Sequence, residues 1–163
     1  MKKTLVIGIV FTLVHGFAIL AAAVQTEGSA YTNSRYGFSL TLPPGQLSLV
    51  ESGNGDGITV AYPNGMTLKA YGTMVPLTFG TDCKAMYEEE KERLDEATYT
   101  RLNEKKRWFV VSGYRESTVV YIKMFVGKTS SYALEMSYPL KNVKMFDSFV
   151  GTAVGSFTPG DME

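Results

Sequence analysis

The chain has 163 residues, with 16 basic and 16 acidic side chains and a formal net charge of zero. That balance excludes a global footprint for nucleic acid, which needs a clustered positive excess. The single cysteine, Cys83, excludes an intrachain disulfide, and the single histidine, His15, confines imidazole chemistry to the first residues of the chain.

Those first residues read as a secretory leader. Met1-Lys2-Lys3 is a positive start, Leu5 to Leu20 is an apolar stretch without formal charge, and Ala21-Ala22-Ala23 supplies small residues in the pattern that signal peptidase reads. Cleavage is expected after Ala23, with Gly28-Ser29-Ala30 as a second site. The alternative is a retained anchor, because the run from Leu5 to Val24 has 20 residues, broken at His15-Gly16, and about 20 suffice to cross a bilayer. Cleavage removes His15 together with Lys2 and Lys3, leaving 14 basic residues against 16 acidic ones. The mature chain is then expected outside the cytoplasm, in a periplasm or beyond it. Its length of about 140 residues suits one domain with an adequate core.

The division expected is a leader over 1–23, a flexible arm over 24–34, one domain over 35–158 and a tail over 159–163. Tyr36, Phe38, Leu40 and Leu42 alternate with small residues, which predicts a strand that Pro43-Pro44-Gly45 ends. A short strand is expected over 47–51. After the turn-rich segment 52–57, Ile58, Val60 and Tyr62 predict a strand that pairs with 66–71 across Pro63-Asn64-Gly65. Thr81 or Asp82 can cap a helix over 82–97, whose apolar face carries Cys83, Met86, Tyr87, Leu94 and Ala97. Glu88 with Lys91 and Glu89 with Arg93 have the spacing of favourable pairs on its other face. Four strands follow, over 98–103, 108–112, 119–126 and 132–138, forming a meander in which 108–112, apolar on both faces, reads as central. Val143, Phe146, Val150, Ala153 and Phe157 step by three and four, predicting a second amphipathic helix over 140–154. The order β-β-β-β-α-β-β-β-β-α lacks βαβ alternation. The fold class expected is therefore α+β, with a mostly antiparallel sheet of about seven to eight strands flanked by the two helices.

The segment Tyr36-Gly37-Phe38-Ser39-Leu40-Thr41-Leu42-Pro43-Pro44-Gly45 resembles the opening strand and turn of PsbP-like domains, which include bacterial exported proteins similar to LpqN and DcrB. The helix ahead of a late meander and the final helix ending in Ser156-Phe157 fit the same pattern, so the resemblance runs from about residue 31 to 158. Where members often carry Trp after the Pro-Gly turn, Gln46-Leu47 stands here. The resemblance implies an α-β-α sandwich and a non-enzymatic accessory or binding role, and it supplies no catalytic residue.

Without histidine the mature chain cannot build a Ser-His-Asp or Cys-His centre. One Cys also fails the usual ligand count for zinc. No metal or cofactor is expected. Cys83 reads as a buried small hydrophobe, the alternative being a reactive thiol with its pKa lowered by a helix N-terminus. Ser52, Asn54, Asp56 and Gly57 match the start of a calcium loop, but Pro63 stands where the closing Glu belongs, so a plain turn is expected. Glu88, Glu89, Glu90 and Glu92 read as a solvated helix face rather than an acid–base pair, and Lys105, Lys106 and Arg107 beside Trp108 as a solvated turn. The aromatics remain: Tyr71, Tyr99 and Tyr121 lie opposite the expected buried faces of their strands, where helices would bury them or an open face would use them for binding. The function expected is an exported accessory or binding domain whose partner is an envelope protein or a small ligand. An envelope enzyme using carboxylates or Cys83 is the alternative.

Overall fold

The computed structural model describes residues 28–75 and 82–163. The expected leader, its cleavage site after Ala23, His15, and Thr81 as a cap lie outside the described residues, as does the side chain of Phe146. The elements are β1 (Ser29–Thr32), β2 (Ser39–Leu42), β3 (Ser48–Glu51), β4 (Gly57–Ala61), β5 (Thr67–Met74), α1 (Cys83–Glu92), β6 (Glu96–Asn103), β7 (Trp108–Arg115), β8 (Thr118–Val126), β9 (Ser130–Pro139) and α2 (Val143–Ser156). Seven strands form one antiparallel sheet in the order β3-β4-β5-β9-β8-β7-β6, and β1 pairs with β2 in a separate hairpin. The α+β class and the two flanking helices are as expected.

Alternation along the strands sends side chains to two cores. On one face Ile58, Val60, Leu68, Leu134, Met136 and Tyr138 meet Phe38, Leu40, Ala153 and Phe157 from the β1–β2 hairpin and α2. On the other, Phe109, Val111, Val120, Ile122 and Met124 meet Cys83 and Leu94, with Met86 and Tyr87 half-buried against them. The Tyr87 ring stands edge-on to Phe109 at 5.8 Å. The layers are therefore α1, the large sheet, and α2 with the small hairpin.

The structure corrects several boundaries. Ser29–Thr32, within the stretch expected as a flexible arm, is a strand: it pairs residue by residue with β2, and Tyr31 packs its ring 6.1 Å from Phe38. The tail over 159–163 is tied down, with the Tyr132 hydroxyl donating to the Asp161 carbonyl at 2.5 Å and the Lys128 amide to Met162 at 3.2 Å. Asp82 caps α1, its carboxylate accepting from the Lys84 amide at 2.9 Å. The helix stops at Glu92 rather than at residue 97. The Asp95 amide donates to Tyr114 and the chain enters the β6–β7 ladder at Glu96, so sheet pairing overrides the helical spacing of Leu94 and Ala97. The strand expected over 108–112 is longer, because β7 continues to Arg115. Nor is β7 central: among the described residues only β6, at the sheet edge, lies beyond it.

Cys83 is 5% exposed. Burial pushes its thiol up, against a smaller opposing pull from Arg107. The position at a helix N-terminus therefore does not activate it. Iodoacetamide is expected to leave Cys83 unlabelled in the native protein and to label it fully after denaturation, read by mass spectrometry.

Candidate functional site

The sheet face that α2 covers is only partly roofed. Phe149 of α2 stands edge-on to Tyr62 at 5.8 Å, and Phe157, just past its end, lies 5.7 Å from Phe125 and 6.1 Å from Phe38. These anchors hold the helix over β9 and the small hairpin, and β6 and β7 extend beyond it. Register then sets what the open part of the face displays. Tyr99, Ser112 and Tyr121 form one cross-strand row, Arg101, Val110 and Lys123 the next, and Asn103, Trp108 and Phe125 a third. Neighbours within a row are about 5 Å apart.

The result is a groove of about 330 Å³. Val110 is its floor, Tyr99 and Tyr121 close one end, Trp108 and Phe125 the other, and Val154 and Gly155 of α2 form the rim. Two cations flank the floor. The Arg101 guanidinium lies over the Trp108 ring at 5.3 Å, and the Lys123 ammonium lies 5.1 Å from the Phe125 centroid. Lys123 also donates to the carbonyls of Val154 and Phe157 at 2.7 and 3.3 Å, so it caps the negative end of α2. Burial draws its pKa down. The Tyr121 phenol is pushed up, first by burial and then by the neighbouring Tyr99.

Of the three tyrosines singled out from sequence, the structure brings Tyr99 and Tyr121 together and places Tyr71 on the opposite face. Burial under helices is only partial: Tyr71 and Tyr121 are half-buried, but Tyr99 is 49% exposed because α2 stops short of the edge strand. Sequence reading missed Arg101, Trp108 and Lys123 as members of the same site. The available signal was Lys123, a charge on an otherwise apolar and aromatic strand face of Val119, Tyr121 and Phe125.

The other expected features resolve as structure. Asn54 donates to Asp56 at 2.7 Å, and the Ser52 hydroxyl accepts from the Gly57 amide at 3.0 Å. Hydrogen bonds from Ser52 and then Asn54 hold the Asp56 carboxyl below its ordinary range. Those side chains close a turn. Arg107, with a left-handed φ of 52°, reaches back to the Gly127 carbonyl at 3.1 Å rather than facing solvent as part of a basic turn. Glu88 pairs with Lys91 and Glu89 with Arg93, as their spacing predicts.

Glu90 departs from the solvated face expected of its run. Its side chain is 13% exposed and pairs with Arg93 at 2.7 Å in a polar pocket of about 270 Å³ that Tyr71, Arg115, Ile122 and Glu135 also line. Burial raises its pKa most, Arg93 opposes, and Glu89 and Glu135 add to the rise. In the pH interval between its unfolded and folded pKa values the folded chain holds a proton that the unfolded chain has released. Stability therefore falls as pH rises through the carboxylate range. Glu90→Gln is expected to flatten that fall, measured as Tm between about pH 4 and pH 7. Cys83 is not part of this pocket.

Among the described residues no helix is long and apolar enough to cross a membrane, and no group of three His, Cys, Asp or Glu side chains could hold a metal ion. No protein-family model matches the chain, and no curated protein sequence matches it. Its architecture is similar to the solution structure of cyanobacterial PsbP (CyanoP) from Synechocystis sp. PCC 6803, with a TM-score of 0.56 and 13% sequence identity over 90% of this chain and 98% of that one. The chain has a PsbP-like fold.

Proposed function

We propose that the protein is an exported, non-enzymatic accessory domain that binds a ligand in the groove between α2 and the β6–β7–β8 surface. The observation that carries this reading is the aromatic lining. Tyr99, Trp108, Tyr121 and Phe125 surround one depression within the volume range of small-ligand sites, about 300–1,000 Å³. Aromatic rings left partly exposed around a concave face are a feature that folding alone does not require. The leader pattern over residues 1–23 supports export, and the PsbP-like fold is in keeping with an accessory role.

Gly155 gives a clean test. A Cβ built there meets nothing within 4 Å, so Gly155→Leu crowds the rim of the groove without a clash and with a better helix former. Native mass spectrometry of the protein recovered from its own envelope is expected to show a bound species in the wild type and none in Gly155→Leu. A ligand-free wild type, or equal loading of both, would overturn the groove as the site. N-terminal sequencing of the exported product is expected to begin at Val24, whereas Met1 would mean a retained anchor. A carboxylate-based activity, the alternative, would have the pocket of Glu90 and Glu135 to work in, and Glu90→Gln would abolish it.

A further inference from the structure

We infer, resting on the groove being the binding site, that it selects small amphipathic monoanions: a flat apolar body with one carboxylate or similarly delocalised negative group.

Among the described residues two cations line the groove and no carboxylate does. Among the described residues Arg101 enters no ion pair, and its guanidinium is held against Trp108. Its fork of donors is therefore available, and stacking restrains it before any ligand arrives. Lys123 uses two of its three donors on the end of α2, leaving one hydrogen for a ligand atom. A single anionic group bridging these cations suits this supply of donors.

Arg101 and Lys123 occupy one row with Val110 between them, and aromatic rows lie on both sides. A ligand anchored in the middle row lays its body on Trp108 and Phe125 or on Tyr99 and Tyr121. Flat apolar bodies gain most from such rings.

A peptide added as a further strand along β6 fits less well. The β6 ladder shifts register between Ala97 and Tyr99. A bulge of this kind, with Glu96 and Arg101 also on the edge, interrupts the row of outward backbone groups that strand addition needs.

Trp108 is the only tryptophan in the chain, so its emission reports the groove directly. The probes are 4-butylbenzoate and its neutral counterpart 4-butylbenzamide, titrated into the wild-type protein, Arg101→Gln and Gly155→Leu. The benzoate is expected to change Trp108 emission saturably and to bind at least about tenfold more tightly than the amide, the scale of a charge-assisted hydrogen bond. Arg101→Gln should erase that preference by weakening the benzoate to the level of the amide, and added salt should weaken the benzoate only. Equal binding of both probes, abolished by Gly155→Leu, would overturn the anion preference and leave the groove standing. No response of Trp108 to either probe would overturn the preference and the groove together.

Discussion

Phe157→Ala is expected to lower the stability of the protein by about 3–5 kcal/mol, the range for emptying a fully buried aromatic site. Phe157 is 2% exposed and sits where three elements meet: Phe38 from the N-terminal hairpin, Phe125 from β8 and the end of α2. Its amide closes the last turn of the helix on the Ala153 carbonyl. The Phe157 carbonyl also accepts from Lys123. Removing the ring leaves a cavity bounded by two rigid aromatics that cannot collapse into it. Native stability is only about 5–15 kcal/mol, so the loss takes a large share of it. Urea unfolding should show a lower midpoint with an unchanged slope. The effect should reach the groove as well, because Phe125 and the α2 rim lose their common support. Weaker binding of 4-butylbenzoate by the folded variant is the expected companion result. A loss below about 1 kcal/mol would mean that the hairpin and α2 do not depend on this contact.

Gly113→Val is expected to destabilise by about 1–3 kcal/mol, towards the upper end, because the obstacle is backbone rather than a movable side chain. A Cβ at Gly113 would lie 1.9 Å from the Glu96 carbonyl oxygen and 2.8 Å from the Ala97 Cα. The edge strand would have to lift away where it enters the sheet, next to the register shift between Ala97 and Tyr99. Hydrogen exchange should then show lost protection in residues 96–101, with β8 and β9 unaffected. Tyr99 and Arg101 ride on that strand, so binding in the groove should fall in step. Full protection of β6 in the variant would show that the close approach can be relieved locally.

Much of the architecture is written in local pattern. Period-two alternation in Phe38-Ser39-Leu40-Thr41-Leu42, Ile58 to Tyr62 and Val119 to Val126 places each strand and its faces. The capping carboxylate of Asp82, the ion pairs of α1 and the spacing of Val150, Ala153 and Phe157 do the same for the helices. Absences are equally legible: no histidine follows residue 15 and a single thiol stands at position 83. Burial of Cys83 follows from its place on the apolar helix face.

What the sequence could not determine depends on partners far away in the chain. Ser29–Thr32 carries too short a pattern to declare a strand, and only the free edge of β2 makes it one. Leu94 and Ala97 keep helical spacing, yet the Asp95 amide bond to Tyr114 and the entry of Glu96 into the β7 ladder end the helix first. The charged run of α1 looks uniformly solvated until packing turns Glu90 towards Glu135, a residue of β9. The groove is the fullest case. Tyr99, Arg101, Trp108, Tyr121 and Lys123 come from three strands, and cross-strand register alone sets them side by side. Whether that face is core or site then depends on where α2 stops, and its length is set by the Phe157 anchor and the Lys123 cap. The sequence by itself determined an α+β domain, its two helices and the classes of chemistry it lacks, because these follow from short-range periodicity and composition. Only the tertiary structure decided which aromatics remain open, because that is a matter of how far one layer extends over another.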